Sequence, residues 1–169
     1  MVKISMIYGE GKGKTTNAIG AMHFLNLEKK KIVVVQFLKT GKNCGECEFL
    51  KKYDNFRWFC IGDESFFTDK SDKEYFSKII ERGIQDLKFS LKEQRTDILF
   101  LDELGMVLFF NLIDWNTMVN TFKYVNEGII ITGRKIPIEI RKKAHKLIYI
   151  QEKKHPYRKG ITARLGIDY

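Results

Sequence analysis

The sequence predicts an α/β fold built on a mainly parallel, six-stranded sheet flanked by helices. Three observations predict it. Apolar, β-branched runs alternate along the chain with stretches whose apolar residues recur at helical spacing. The run Ile32-Val33-Val34-Val35 shows no alternation, which marks a strand covered on both faces, as parallel sheets require. No internal repeat and no long linker divides the 169 residues, so residues 1–169 are expected to form a single domain.

The elements follow in order. Residues 2–8 are apolar and β-branched and read as the first strand. Ala18, Met22 and Leu25 then mark one face of a helix that opens at Lys14-Thr15-Thr16 and ends near Glu28-Lys29-Lys30, where positive charge suits a helix C-terminus. Residues 31–38 form the second strand. A polar loop leads to a short helical piece near 46–52, and 56–61 is the third strand. Phe76, Ile80, Ile84, Leu87 and Leu91 share one stripe of a long helix over 71–94. Residues 98–101 form the fourth strand, running into Asp102-Glu103. Helices are expected over 105–111 and 114–126, a fifth strand over 128–132, a short helix over 137–143 with Pro137 in its first turn, and a sixth strand over 146–151.

Composition narrows the class of function. With 44% hydrophobic and 30% charged residues, the chain is an ordinary globular one rather than a disordered one. No apolar run approaches the roughly 20 residues of a membrane helix, and the N-terminus lacks a signal-peptide core. Three cysteines, Cys44, Cys47 and Cys60, are an odd count. They argue for a reducing compartment, the cytoplasm, and the lone CxxC cannot complete a tetrahedral zinc site. The net charge of +9 is concentrated: residues 134–169 hold eleven Lys/Arg against three acids. Such a rim attracts anions, although a solvated lysine face is the simpler reading.

Three strings carry chemistry. Gly9-Glu10-Gly11-Lys12-Gly13-Lys14-Thr15-Thr16 lies between a strand and a helix, the context of a phosphate-binding loop. Glycines let the backbone N–H groups turn inward, and the helix start adds the positive end of its dipole. Lys14 would touch phosphate oxygens, and the Thr15 hydroxyl would reach Mg²⁺. The glycine that usually leads such a loop is replaced by Tyr8, so the loop is a variant. Ile98-Leu99-Phe100-Leu101-Asp102-Glu103 ends a buried strand in two carboxylates at the same sheet edge, where one usually holds the Mg²⁺ hydration shell and, in hydrolytic relatives, the next activates water. Ile131-Thr132-Gly133-Arg134 brings a guanidinium to that edge, where its planar fork suits phosphate or carboxylate. Together these strings make the expected fold P-loop NTPase-like.

Their order and spacing resemble the P-loop family of ATP:corrinoid adenosyltransferases over nearly the whole chain. The resemblance extends to Val34-Val35-Gln36-Phe37-Leu38-Lys39, to Gly45-Glu46, and to the ending Lys154-His155-Pro156-Tyr157-Arg158-Lys159-Gly160 through Asp168-Tyr169. It implies that a reduced corrinoid, as Co(I), attacks C5′ of ATP and that tripolyphosphate leaves. ATP and a corrinoid would be the substrates and Mg²⁺ the cofactor. The nucleophile is the corrinoid's own metal, so no general base is needed. Glu103 is then freer to bind Mg²⁺ with Asp102 and Thr15, while Lys12, Lys14 and Arg134 offset charge on the leaving group. The family displaces the corrinoid's lower axial ligand with bulky apolar residues, for which Phe66 and Phe67 stand here after Gly62. The resemblance further implies a homodimer and a flavoprotein reductant, with no nucleic-acid or membrane partner.

Three other readings stay open at this point. A small nucleoside kinase of the thymidine type shares such a core but adds paired CxxC motifs. A nucleotide-gated nucleic-acid module would use the basic tail, which lacks an evident helix–turn–helix. A paralogue could bind ATP and corrinoid without turnover. His23 and His145 read as packing or surface residues, and Trp58 and Trp115 as core or edge aromatics. His155 lies in the family-like tail, where a contact to corrinoid or phosphate is one reading.

Overall fold

The computed structural model describes residues 2–27, 29–40, 52–65, 67–68, 70–154 and 160. Expectations for Glu28, the Cys44–Cys47 pair, Gly45-Glu46, the helical piece near 46–52, Phe66 and His155 lie outside the described residues, as does the tail apart from Gly160.

Among the described residues, six strands form one sheet: β1 (Lys3–Tyr8), β2 (Ile32–Phe37), β3 (Phe56–Ile61), β4 (Ile98–Asp102), β5 (Gly128–Gly133) and β6 (Lys146–Tyr149). Their order is β3-β2-β4-β5-β1-β6 and every pairing is parallel. β5 therefore lies between β1, which leads into the glycine loop, and β4, which ends in the carboxylates. In register, Tyr8 stands opposite Gly133 and Leu101 opposite Ile131. The ends of β1, β4 and β5 reach one edge.

The unbroken apolar run of β2 is explained by burial of all six of its residues. Val33, Val35 and Phe37 face one side, with Leu99, Leu101 and Ile131. There they meet α2 (Lys73–Glu93), α3 (Leu104–Phe109) and α4 (Trp115–Phe122). Ile32, Val34, Ile98 and Phe100 face the other side and meet Ala18, Ile19 and Met22 of α1 (Lys14–Leu27). The α2 stripe is buried as its spacing predicts, and Asp72 caps that helix by accepting the Tyr75 amide at 3.1 Å.

Several boundaries differ from expectation. α4 stops at Phe122 rather than near Asn126. The amides of Tyr124 and Val125 bond back only three residues, and the Asn126 amide goes to the Thr96 carbonyl, turning the chain into β5. Pro137 caps α5 (Ile138–Arg141) from outside instead of occupying its first turn, because its ψ of 140° is extended. β6 ends at Tyr149, two residues early. No described helix is long and apolar enough to cross a membrane.

Candidate active site

The loop after β1 turns sharply. Gly9 has φ of 120° and Gly13 φ of 96°, values that a side chain bearing Cβ rarely adopts. Two loop amides are anchored to neighbouring chain: Gly9 donates to the Arg134 carbonyl at 3.1 Å and Gly11 to the Ile150 carbonyl at 3.0 Å. Lys14 opens α1 and is buried, with its ammonium donating to the Gly11 carbonyl at 2.8 Å. Burial lowers its pKa, Glu103 works against that shift, and Arg134 adds to it. Thr15 follows on the same turn.

Asp102, wholly buried at the end of β4, is the hub. Its Oδ1 accepts from the Thr15 hydroxyl at 2.8 Å and from the Thr132 hydroxyl at 2.7 Å. Its Oδ2 accepts from the Lys39 ammonium at 2.8 Å and from Gln36 Nε2 at 3.4 Å. The start of α1, β2 and β5 thus converge on the carboxylate that ends β4. A hydroxyl and a carboxylate oxygen already 2.8 Å apart are the hard oxygen donors that Mg²⁺ takes alongside its waters, so these residues fit that ion.

Glu103 comes next, in the left-handed conformation at φ 62° and at the start of α3. A non-glycine residue there is strained by about 1 kcal/mol or more. Its amide donates to the Thr132 hydroxyl at 3.1 Å. The side chain keeps some exposed surface, yet burial first and the adjacent Asp102 charge second raise its pKa. Lys39, Lys14 and Arg134 pull it back. Gly133 and Gly105 make room for this arrangement: a Cβ on Gly133 would sit 2.8 Å from the Gly105 Cα. That contact brings the end of β5, and Arg134 after it, against the start of α3.

A cavity of about 630 Å³ opens beside the loop, lined by Tyr8, Gly9, Phe109, Arg134, Arg141 and Tyr149 among others. Arg141 donates to the Tyr8 hydroxyl at 3.0 Å and its guanidinium lies 4.8 Å from the Tyr8 ring centre. Tyr8 in turn meets Tyr149 at 5.1 Å. The position where a leading glycine is usual therefore carries a cavity wall.

The structure brings Lys14, Thr15, Asp102, Glu103 and Arg134 together around the loop. Glu10, Lys12 and Thr16 lie exposed on the loop and at the helix start. The Phe67 ring lies 5.0 Å from Phe76 and 4.9 Å from Phe110. That packing alone accounts for an aromatic at this position. The sequence reading gave no role to Gln36, Lys39 or Thr132. A glutamine inside a wholly apolar strand, and a threonine inside Ile-Ile-Ile-Thr, were signals that could have found two of them. His145 is exposed but accepts the Ile4 amide on Nδ1, at 3.1 Å.

A strand, a glycine turn and a helix whose threonine is bonded to a carboxylate two strands away define the phosphate-loop class of nucleotide-binding α/β proteins. A helicase domain, Hef of Pyrococcus furiosus, shares the fold with a TM-score of 0.52 at 13% identity, over 96% of this chain and 38% of that one. That likeness speaks for architecture alone. Residues 2–169 match the family described as ATP:corrinoid adenosyltransferase BtuR/CobO/CobP, and the chain belongs to that family. Among its relatives, the corrinoid adenosyltransferase of Escherichia coli K12 is 29% identical over 98% of this chain and 85% of its own. That of Sinorhizobium is 26% identical over 95% and 77%. The corrinoid adenosyltransferase CobA of Salmonella typhimurium is 27% identical over 98% and 85%.

Proposed function

We propose that the chain transfers the 5′-deoxyadenosyl group of ATP to the Co(I) of a reduced corrinoid, with tripolyphosphate as the leaving group. Family membership supports adenosylation of a corrinoid from ATP. The observation that carries the finer reading is the placement of Lys14 and Arg134 around an Asp102–Thr15 pair, next to an open cavity.

In this reading the substrate cobalt donates an electron pair to C5′, the C5′–O bond breaks, and its electrons leave on the tripolyphosphate. No proton is abstracted, so the site needs no base. The chain's task is to grip the polyphosphate and leave C5′ exposed. The first amides of α1, which have no partner within the helix, bind phosphate oxygens along the dipole. Lys14 leaves the Gly11 carbonyl for the polyphosphate, and Lys12 and Arg134 share its charge. Thr15 and Asp102, with Glu103 beside them, hold Mg²⁺, which when bound offsets charge accumulating on the leaving oxygens. The cavity beside Gly9 gives the organic part of a substrate a place against Tyr8 and Tyr149. Phe66 and Phe67 act on the corrinoid's lower axial ligand, a flavoprotein supplies the electrons, and the active form is a cytoplasmic homodimer.

The test combines Mg-ATP, chemically reduced cobalamin and protein, and identifies the phosphorus product. Tripolyphosphate, formed together with the absorption spectrum of a cobalt–carbon bond, is expected. ADP would instead assign a kinase or ATPase, and neither product a binding-only paralogue.

A further inference from the structure

We propose that Arg141 selects among corrinoids: its guanidinium receives a carboxylate carried on the edge of that substrate, so the chain favours corrinoids with free acid side chains over amidated ones. The inference rests on the reading above that the organic part of a substrate enters the cavity beside Gly9.

The guanidinium is held on one side only. Its Nη1 donates to the Tyr8 hydroxyl at 3.0 Å, and the group lies 4.8 Å from the Tyr8 ring centre. Among the described residues, that is the one hydrogen bond of its side chain, and Nε is buried with no partner. The edge left over, Nε with Nη2, is the pair of parallel donors that a carboxylate takes at two points. A buried donor without an acceptor destabilises the protein as it stands, so this edge calls for an acceptor brought from outside.

The surroundings say what brings it. Arg141 lines the cavity of about 630 Å³. Phe109, Ile138 and Tyr149 line it too and are exposed, so its mouth is apolar. Arg134 and Lys135 add positive charge, and Glu10 and Glu139 stand against them. Glu139 accepts from the Lys142 ammonium at 3.0 Å and Glu10 acts on Lys14 in the loop, and neither is bonded to Arg141. An apolar mouth with an unused guanidinium edge behind it fits an apolar frame that carries an acid. A corrin ring is such a frame, with arms that end in carboxylates or in amides. The ring rests on the mouth while one arm reaches in. A carboxylate brings two acceptors and a charge, whereas an amide brings one acceptor and an N–H group that opposes the second donor. A site built for two acceptors rejects the group that lacks one of them.

The probes are cobyrinic acid, whose arms all end in carboxylates, and cobinamide, whose arms end in amides. Both are used as Co(III), which cannot be adenosylated, and binding is read by equilibrium dialysis from corrinoid absorbance. Wild-type protein is expected to bind the acid roughly tenfold or more tightly than the amide. Arg141→Met is expected to lose that preference while its affinity for cobinamide holds. Lys143→Met, which removes the same charge nearby but outside the cavity, is expected to keep it. Calorimetric titration with inorganic tripolyphosphate should be the same in all three proteins, and circular dichroism checks that each variant folds. Equal binding of the two corrinoids by wild type overturns the proposal and needs no variant. A preference that survives in Arg141→Met overturns it, as does an equal loss in Lys143→Met, which would make the preference one of general charge. Weaker tripolyphosphate binding in Arg141→Met would give the guanidinium to the polyphosphate and also overturn it. Failure of the wild type to bind either corrinoid would instead remove the reading of a corrinoid substrate, and this proposal with it.

Discussion

The Thr132 hydroxyl donates to Asp102 Oδ1 at 2.7 Å and accepts the Glu103 amide at 3.1 Å, so one oxygen on β5 ties down the last acid of β4 and the acid that follows it. The bond crosses from one strand to its neighbour at the edge where the glycine loop arrives. Thr132→Val keeps the shape and removes the hydroxyl. It is expected to lower stability by about 1–3 kcal/mol, since the buried Asp102 Oδ1 loses one of its two donors and the Glu103 amide loses its acceptor. Turnover should fall further than in Thr132→Ser, which keeps the bond. Chemical denaturation and steady-state kinetics on the two variants check this, and equal behaviour would refute the hydroxyl's role.

Lys14→Ala should leave the fold intact, because it removes a buried charge whose desolvation opposes ionisation. Polyphosphate release should drop by roughly 10²–10³, the effect of losing one preorganised donor to a developing anion. Calorimetric titration with ATP should lose its signal. Wild-type affinity in the variant would withdraw the phosphate-loop assignment.

Glu103 makes stability depend on pH. Burial and Asp102 raise its pKa, so the folded chain keeps this proton to higher pH than the unfolded chain does. Between the ordinary carboxylate range and the raised value the folded state binds more protons. Stability therefore falls as pH rises through that window and stays lower above it. Glu103→Gln should melt above wild type at pH 7 and converge with it below the ordinary carboxylate range. Thermal melts from pH 3 to 8 read the difference, and an offset that ignores pH would contradict it.

Gly133→Ala places a Cβ 2.8 Å from the Gly105 backbone. Neither partner is a flexible side chain, so β5 must move away from α3. A loss of about 1–3 kcal/mol is expected from the overpacking. For a chain of this size that is roughly 2–4 °C of melting temperature per kcal/mol. Activity should decline as well, because Arg134 follows directly.

Phe67→Ala removes a ring packed on Phe76 and Phe110. The expected loss is about 3 kcal/mol, the low end for a phenylalanine because the side chain is only half-buried. ATP affinity should be unchanged, and reduction of bound Co(II) corrinoid should be impaired. Unimpaired reduction would leave Phe67 with packing alone.

Much of this was legible in the chain. The run Ile32-Val33-Val34-Val35 announced a doubly covered strand, and the stripe from Phe76 to Leu91 announced α2, because both patterns reflect burial that a single element carries by itself. The phosphate loop, Asp102 and Arg134 were visible for a similar reason: each sits next to its strand in sequence. Lys39 was not, since its role depends on β2 and β4 being neighbours, which no local pattern encodes. The pairing of Gly105 with Gly133 was hidden likewise, as was the cavity wall made by Tyr8, Arg141 and Tyr149. The early end of α4 was set by a tertiary bond, Asn126 to Thr96, that overrode helical periodicity.

The anchoring of Gly9 on the Arg134 carbonyl and of Gly11 on the Ile150 carbonyl reaches beyond local geometry. A loop stapled at two points to the tips of flanking strands has surrendered its conformational freedom during folding. An arriving anion therefore meets a ready mould and incurs little further ordering entropy. Capture should be governed by encounter and by the attraction of the surrounding cations, while a mutation that loosens β6 should slow capture without touching a single phosphate-contacting group.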